Sequence, residues 1–208
     1  MIDFVYRRGY DQLASYLLGK QEEAGLSEDK IGVVLNRFKA EWRRIEDKAI
    51  SLISEYSGPL PGRLKCYLSS SVPVPGITSP LTLRLQEDID DMVFSLIFLL
   101  NRVTLENNRE VMNKVALTSI ALDFNERIIL NAIAFYNTLR VLNSVYGREI
   151  DTRRLKGILG KTRMDLMTFD IVDYVYRRKG VSAGIDDFLE IVVERFLKER
   201  HRTTDSCK

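Results

Sequence analysis

One histidine and two cysteines are all that 208 residues offer to most metal and nucleophile chemistry. With His201 alone, the catalytic constellations that need two imidazoles are excluded. Cys66 and Cys207 lie far apart and are too few for a disulfide framework or a zinc site. Unpaired thiols of this kind fit a reducing compartment. The opening Met1-Ile2-Asp3-Phe4 puts an acid where a secretory leader carries a base, and no apolar run of leader type follows. The longest apolar stretch, Met92 to Leu100, is about half of what a bilayer span requires. The expectation is a cytoplasmic protein with no membrane partner. No GxGxxG, P-loop, HExxH or GxSxG pattern occurs, and nothing points to a cofactor or a small-molecule substrate. The chain also lacks a dominant charge. Its net charge of +2 argues against a general polyanion binder, although arginine outnumbers lysine.

What is present is helical patterning. Residues Ile2 to Leu18 read as a short helix, a break at Gly9 and a second helix, with Ser27 as the next N-cap. Then Ile31, Leu35, Phe38, Trp42, Ile45, Ala49, Leu52 and Tyr56 alternate in steps of four and three, a heptad seam. A helix from Glu28 to Tyr56 would be about 43 Å long. Its partner is expected in the Arg109 to Tyr146 region, or else in a second copy or another protein. All five prolines fall between Pro59 and Pro80, which reads as a loop or arm. Residues 64–68 and 81–85 alternate and could form one small hairpin; alternatively Ser79-Pro80 caps the following helix. Val93 to Leu100 is apolar all round, so its helix should be wrapped by others. Asn107-Asn108 and Asp123-Phe124-Asn125 are candidate breaks, Gly147 a terminator, and three short helices follow: 152–159, 163–178 and 185–200. The fold class that results is all-α, a multi-helix bundle with a proline-rich central arm and at most one small β-hairpin. The domain reading is a helical core over 1–147, with its arm at about 58–80, and a three-helix subdomain over 148–208 that is basic at its start.

One internal echo stands out. Ile2-Asp3-Phe4-Val5-Tyr6-Arg7-Arg8-Gly9 matches Val172-Asp173-Tyr174-Val175-Tyr176-Arg177-Arg178-Lys179-Gly180 in pattern, too briefly for a duplication.

Three groups of residues could carry chemistry. Glu87, Asp88, Asp90 and Asp91 open one helix, and Asp123 and Glu126 sit three apart further on. Facing acidic pairs can hold Mg²⁺ near a phosphate, and the arrangement resembles in a generic way that of helical nucleotide pyrophosphatases and isoprenoid diphosphate synthases. Acids also favour any helix N-terminus through its dipole, and that reading is preferred, with no metal site assigned. The spacing Arg195 to His201 resembles the R-x(4–6)-H pattern of helical ribonucleases of the HEPN type. Side chains six apart on one unbroken helix point about 120° apart, so that reading needs a break between them. Finally, Arg148, Arg153, Arg154, Lys156, Lys161 and Arg163 crowd a helix, a Gly160-Lys161-Thr162 turn and a second helix. They are the expected nucleic-acid contacts, to DNA or RNA, made weakly through phosphates and diluted by Glu149, Asp151 and Asp165. The function expected is a non-enzymatic helical scaffold or adaptor. It would act by protein partnership or self-association through its helices, in a setting such as a nucleic-acid-processing complex. The alternative is an enzyme, a Mg²⁺-dependent all-α phosphohydrolase or a HEPN-like ribonuclease.

Overall fold

The heptad stripe finds its partners inside the chain. The computed structural model describes residues 2–18, 28–73, 75–159 and 166–205, the side chains of Glu28 and of 198–205 excepted. In chain order the described elements are β1 (Ile2–Tyr6), α1 (Arg8–Leu17), α2 (Glu28–Ser57), β2 (Leu64–Ser69), β3 (Gly76–Thr78) and β4 (Leu81–Arg84). They continue as α3 (Ile89–Asn107), α4 (Arg109–Leu122), α5 (Glu126–Tyr146), α6 (Thr152–Leu159), α7 (Leu166–Lys179) and α8 (Ile185–Asp205). Helix dominates, as its patterning predicts and as an all-α bundle requires, but a small four-stranded sheet goes beyond the one hairpin expected.

The correction concerns the sheet. Four strands are ordered β1-β2-β4-β3, with β1, β2 and β4 parallel and β3 antiparallel to β4. The expected hairpin between 64–68 and 81–85 does not form; those segments run side by side in parallel, and the antiparallel partner is β3. Much of the expected arm is therefore interior strand, with Cys66 and Leu68 fully buried. The N-terminal helix is likewise a strand. Alternating Ile2, Phe4 and Tyr6 lie in register with Leu64, Cys66 and Leu68, so all six share one face of the sheet. That face meets the helices: Phe4 packs edge-on against Phe38 and Trp42 at 5.1 and 6.5 Å between centroids. Gly9 lies inside α1 and breaks nothing.

The buried line on α2 starts as read and then drifts. Ile31, Phe38, Trp42, Ile45 and Ala49 are buried, but Val34 is buried in place of the half-buried Leu35, and the last turn buries Ile53 and Ser57, leaving Leu52 and Tyr56 half-exposed. A straight helix of 3.6 residues per turn slips about 20° per heptad against a strict seven-residue repeat. α2 does not supercoil with one partner; it packs on α3 and α5 together. Bonds fix the directions. Ser57 to Asn101 and Lys30 to Glu87 set α2 parallel to α3, while Asn101 to Thr138 and the Phe94–Tyr146 contact set α5 antiparallel to both.

Several of the expected caps and breaks form, while Ser27, the expected N-cap of α2, lies outside the described residues. Asp88, Asn108 and Asn125 cap α3, α4 and α5 through side-chain oxygens on Asp91, Val111 and Arg127 amides. Asp123 takes a left-handed conformation at φ 56°, closing α4 where a break is expected. α3 is buried on all faces from Met92 to Leu105 save Arg102. By length and composition α5 could cross a membrane, but most of it is buried within this structure. Tyr136 on α5 ties down the α7–α8 turn, donating to the Gly180 carbonyl at 2.8 Å and accepting from the Ala183 amide at 3.0 Å.

Trp42 is almost fully buried at the meeting of α2 with β1, and its Nε1 has no hydrogen-bond partner. Trp42→Ala is expected to cost about 3–5 kcal/mol in a denaturant melt. Trp42→Phe should cost much less, since it removes an unpaired buried donor along with part of the ring. Equal losses for the two would show that the indole is not packed as described.

Candidate functional site

The basic cluster of the C-terminal third and the acidic cluster at the start of α3 meet. Arg154 projects from α6 onto the α3 N-terminus, where its guanidinium reaches Asp88, Asp91 and Asp90 at 3.1, 3.1 and 3.4 Å. It also lies over the Phe94 ring, 5.3 Å from the centroid. Burial opposes its charge, but the three carboxylates outweigh this and hold its pKa above the ordinary value. Lys156 pairs with Asp173 on α7. Arg148 and Arg153 are exposed. Lys161 and Arg163, with the Gly160-Lys161-Thr162 turn, lie outside the described residues. Of the expected phosphate contacts, then, two are occupied by acids of the same chain and two face solvent.

The acidic residues do not come together. Because α3 and α5 are antiparallel, the Asp123–Glu126 end of α5 lies by the far end of α3, roughly 30 Å from Glu87 to Asp91 at 1.5 Å per residue. Among the described residues no group of three or more His, Cys, Asp or Glu is placed to hold a metal ion. The ribonuclease-like pair fares similarly. α8 runs unbroken through both positions, Arg195 donates to the Asp170 carbonyl and packs on Tyr174, and the His201 side chain lies outside the described residues.

The structure adds one polar constellation that the sequence reading did not identify. Lys65, Tyr67, Ser69, Thr82 and Arg84 share the face of the sheet opposite α2, and Tyr67, Ser69 and Thr82 meet α1 there. Tyr10 stacks on Tyr67 at 4.9 Å and shares a 2.7 Å hydrogen bond with Thr82. Asp11 is the one residue of α1 whose side chain is buried. Its carboxylate accepts from Ser69 Oγ at 2.5 Å, Ser70 N at 2.9 Å, Ser70 Oγ at 2.6 Å and Ser71 N at 3.1 Å. Burial alone would raise its pKa; the serine donors outweigh burial and hold it below the ordinary 3.8. The three consecutive serines were the signal, since such a run after a strand offers hydroxyl and amide donors to one acceptor.

The inward polarity of α1 leaves its apolar residues outside. Leu13, Tyr16 and Leu17 are exposed, a helix worn inside out. A second apolar region lies between α4 and α8, which run parallel, held by Lys114 to Asp186 at 2.7 Å and Phe124 against Phe196 at 4.8 Å. Between them is an open groove of about 510 Å³ lined by Leu117, Leu189 and Val193, with Asp186, Glu190 and Glu194 along it. No known protein family, curated protein or solved structure matches this chain.

The Asp11 clamp predicts acid sensitivity with a definite sign. A carboxyl held below its unfolded value contributes stability that is complete above that value and lost as pH falls through the folded one. Stability should therefore fall steadily below about pH 4, and Asp11→Asn should weaken the protein at neutral pH by about 1.5–3 kcal/mol while flattening the acid limb. Denaturant melts at pH 3 to 7 read both effects. A variant that keeps the full acid slope would show that another carboxyl carries it.

Proposed function

We propose that this chain is a non-enzymatic helical scaffold that works by binding other protein surfaces. The observation that carries the reading is the distribution of its exposed large hydrophobic side chains. Leu13, Tyr16, Leu17 and Leu18 gather on α1 and its end, while Leu117 and Ile120 stand exposed on α4 and Leu197 on α8. Single exposed leucines need no explanation, but contiguous apolar surface flanked by charges marks contact sites. Rigid helices anchored by buried polar clamps hold such faces in fixed relation, which is what a scaffold requires. The reading is tested by fractionating native extract containing the tagged chain. It should migrate well above its own 24.0 kDa, and Leu117→Lys with Ile120→Lys should shift it downward. Migration at its own mass with no effect of the substitutions would refute the proposal.

Nucleic acid enters this proposal as a weak second ligand, supported by the exposed Arg148 and Arg153 of the basic cluster, neither of which is on the α3 acids that hold Arg154. Phosphate contacts each add roughly 0.9 to the log–log salt slope, so Arg148→Ala with Arg153→Ala should flatten it by about two. Arg154→Ala should hardly move that slope. It should instead lower stability by about 1 kcal/mol, because three carboxylates lose their shared partner. A salt titration of duplex binding, with a melt of each variant, separates the two roles.

A further inference from the structure

Apolar packing does little to hold α1. Of its ten residues Asp11 alone has a buried side chain, with Tyr10, Ala14 and Ser15 half-buried. Leu13, Tyr16 and Leu17 turn outward, exposed to 53%, 83% and 71%. What seats the helix is polar: the Asp11 carboxylate among its serine donors, and Tyr10, stacked on Tyr67 and hydrogen-bonded to Thr82. The floor beneath is polar too, since Ser69 and Thr82 are fully buried. β1, directly before α1, is held in another way. It is laddered to β2 along its length, and Phe4 packs on Phe38 and Trp42. The attachment changes in kind at Arg7, which gives α1 no side-chain capping bond.

These contacts set the cost of lifting α1 away. Beyond the Tyr10–Tyr67 stack little apolar surface would be exposed, so the hydrophobic effect hardly opposes the motion. The groups uncovered are hydroxyls, amides and a carboxylate, which water can solvate. The clamp itself is the main resistance, because hydrogen bonds to a charged group are the strong ones. Segments with few buried apolar contacts open at free energies below that of global unfolding. A ten-residue helix is marginal in water, so α1 once released also loses its own hydrogen bonds. We propose that α1 is a strap latched by Asp11, leaving the sheet as a unit while the four strands and α2, α3 and α5 stay folded. Opening bares Tyr67, Ser69 and Thr82, a polar sheet face that the resting molecule hides. At rest the latch keeps α1 in place, so the strap goes beyond the scaffold reading without depending on it.

Hydrogen exchange of the purified full chain, read residue by residue in low denaturant, tests the strap. The Ser70 amide reports on it from outside the helix, because its acceptor is the Asp11 carboxylate. The amides of residues 12–17 and that of Ser70 should share one opening free energy, well below that of α3 and α5. Asp11→Asn should speed exchange at the α1 amides roughly tenfold to a hundredfold. Should that variant not fold, Tyr10→Phe loses only the hydroxyl bond to Thr82 and should speed the same amides roughly two- to tenfold. Amides of α1 and Ser70 that exchange only together with the core would overturn the proposal. Early exchange in α1, with Ser70 protected until the core unfolds, would reduce α1 to a fraying helix and sink the strap as well. Exchange in α1 left unchanged by Asp11→Asn, or by Tyr10→Phe where it stands in, would show that these contacts do not latch the helix and overturn it likewise.

Discussion

A helix apolar on every face cannot lie on a surface, and that constraint organises this protein. α3 carries Val93, Phe94, Leu96, Ile97, Leu99 and Leu100 in all directions. Water must be kept from each side, so α2, α5 and the β3–β4 edge of the sheet pack around it. Several polar groups in this region pair with one another, although the Ser95 hydroxyl on α3 is buried without a partner: Ser57 donates to Asn101 at 2.6 Å, Asn101 to Thr138 at 3.3 Å, and Asn137 to Ser57 at 2.9 Å. That chain of bonds joins α2, α3 and α5 and sets their relative height, since a slip of one turn would break all three interhelical bonds. Gly58, at φ 104°, ends α2 beside Asn108; a β-carbon there would come within 2.9 Å of the Asn108 amide.

Outside this core, charge does more positioning than attracting. Arg154 spends its guanidinium on Asp88, Asp90 and Asp91, bridging α6 to α3, and Lys114 holds α4 to α8 through Asp186. The acidic cluster at the start of α3 is met by one member of the basic cluster, Arg154, and the contact acts as a local strut. Each cluster looks like a ligand site when read alone because sequence distance hides the other. The surface that remains distinctive is apolar: the outward stripe of α1 and the groove of α4 and α8.

How much of this was legible follows from interaction range. Caps and breaks depend on bonds two to four residues long, so Asn108, Asn125, Asp123 and Gly147 could be read directly. The buried stripe of α2 and the all-apolar core of α3 follow from helical period. The drift from Leu52 to Ile53 did not, because it depends on what α2 packs against. The Asp11 clamp joins residues 58 to 60 apart, and an aspartate on a short helix gives no local hint that it faces inward. The exposed face of α1 was hidden by the same inversion, since apolar spacing ordinarily marks the buried side.

The internal echo isolates the point. Ile2-Asp3-Phe4-Val5-Tyr6 and Val172-Asp173-Tyr174-Val175-Tyr176 share one pattern, yet the first is strand β1 and the second is part of helix α7. β-branched and aromatic residues suit a strand, and Val172 with Val175, three apart and both buried, equally suits one helical face. The sequence by itself determined that each segment has an apolar side and that a basic turn follows it. Which structure formed was decided by neighbours. Residues 2–6 found the backbone of β2 in parallel register, whereas residues 172–176 continue a helix begun at Leu166 and packed on α5 through Phe169 and Phe135. A five-residue segment cannot satisfy its own amides in either form, so the partner that supplies the hydrogen bonds chooses the structure.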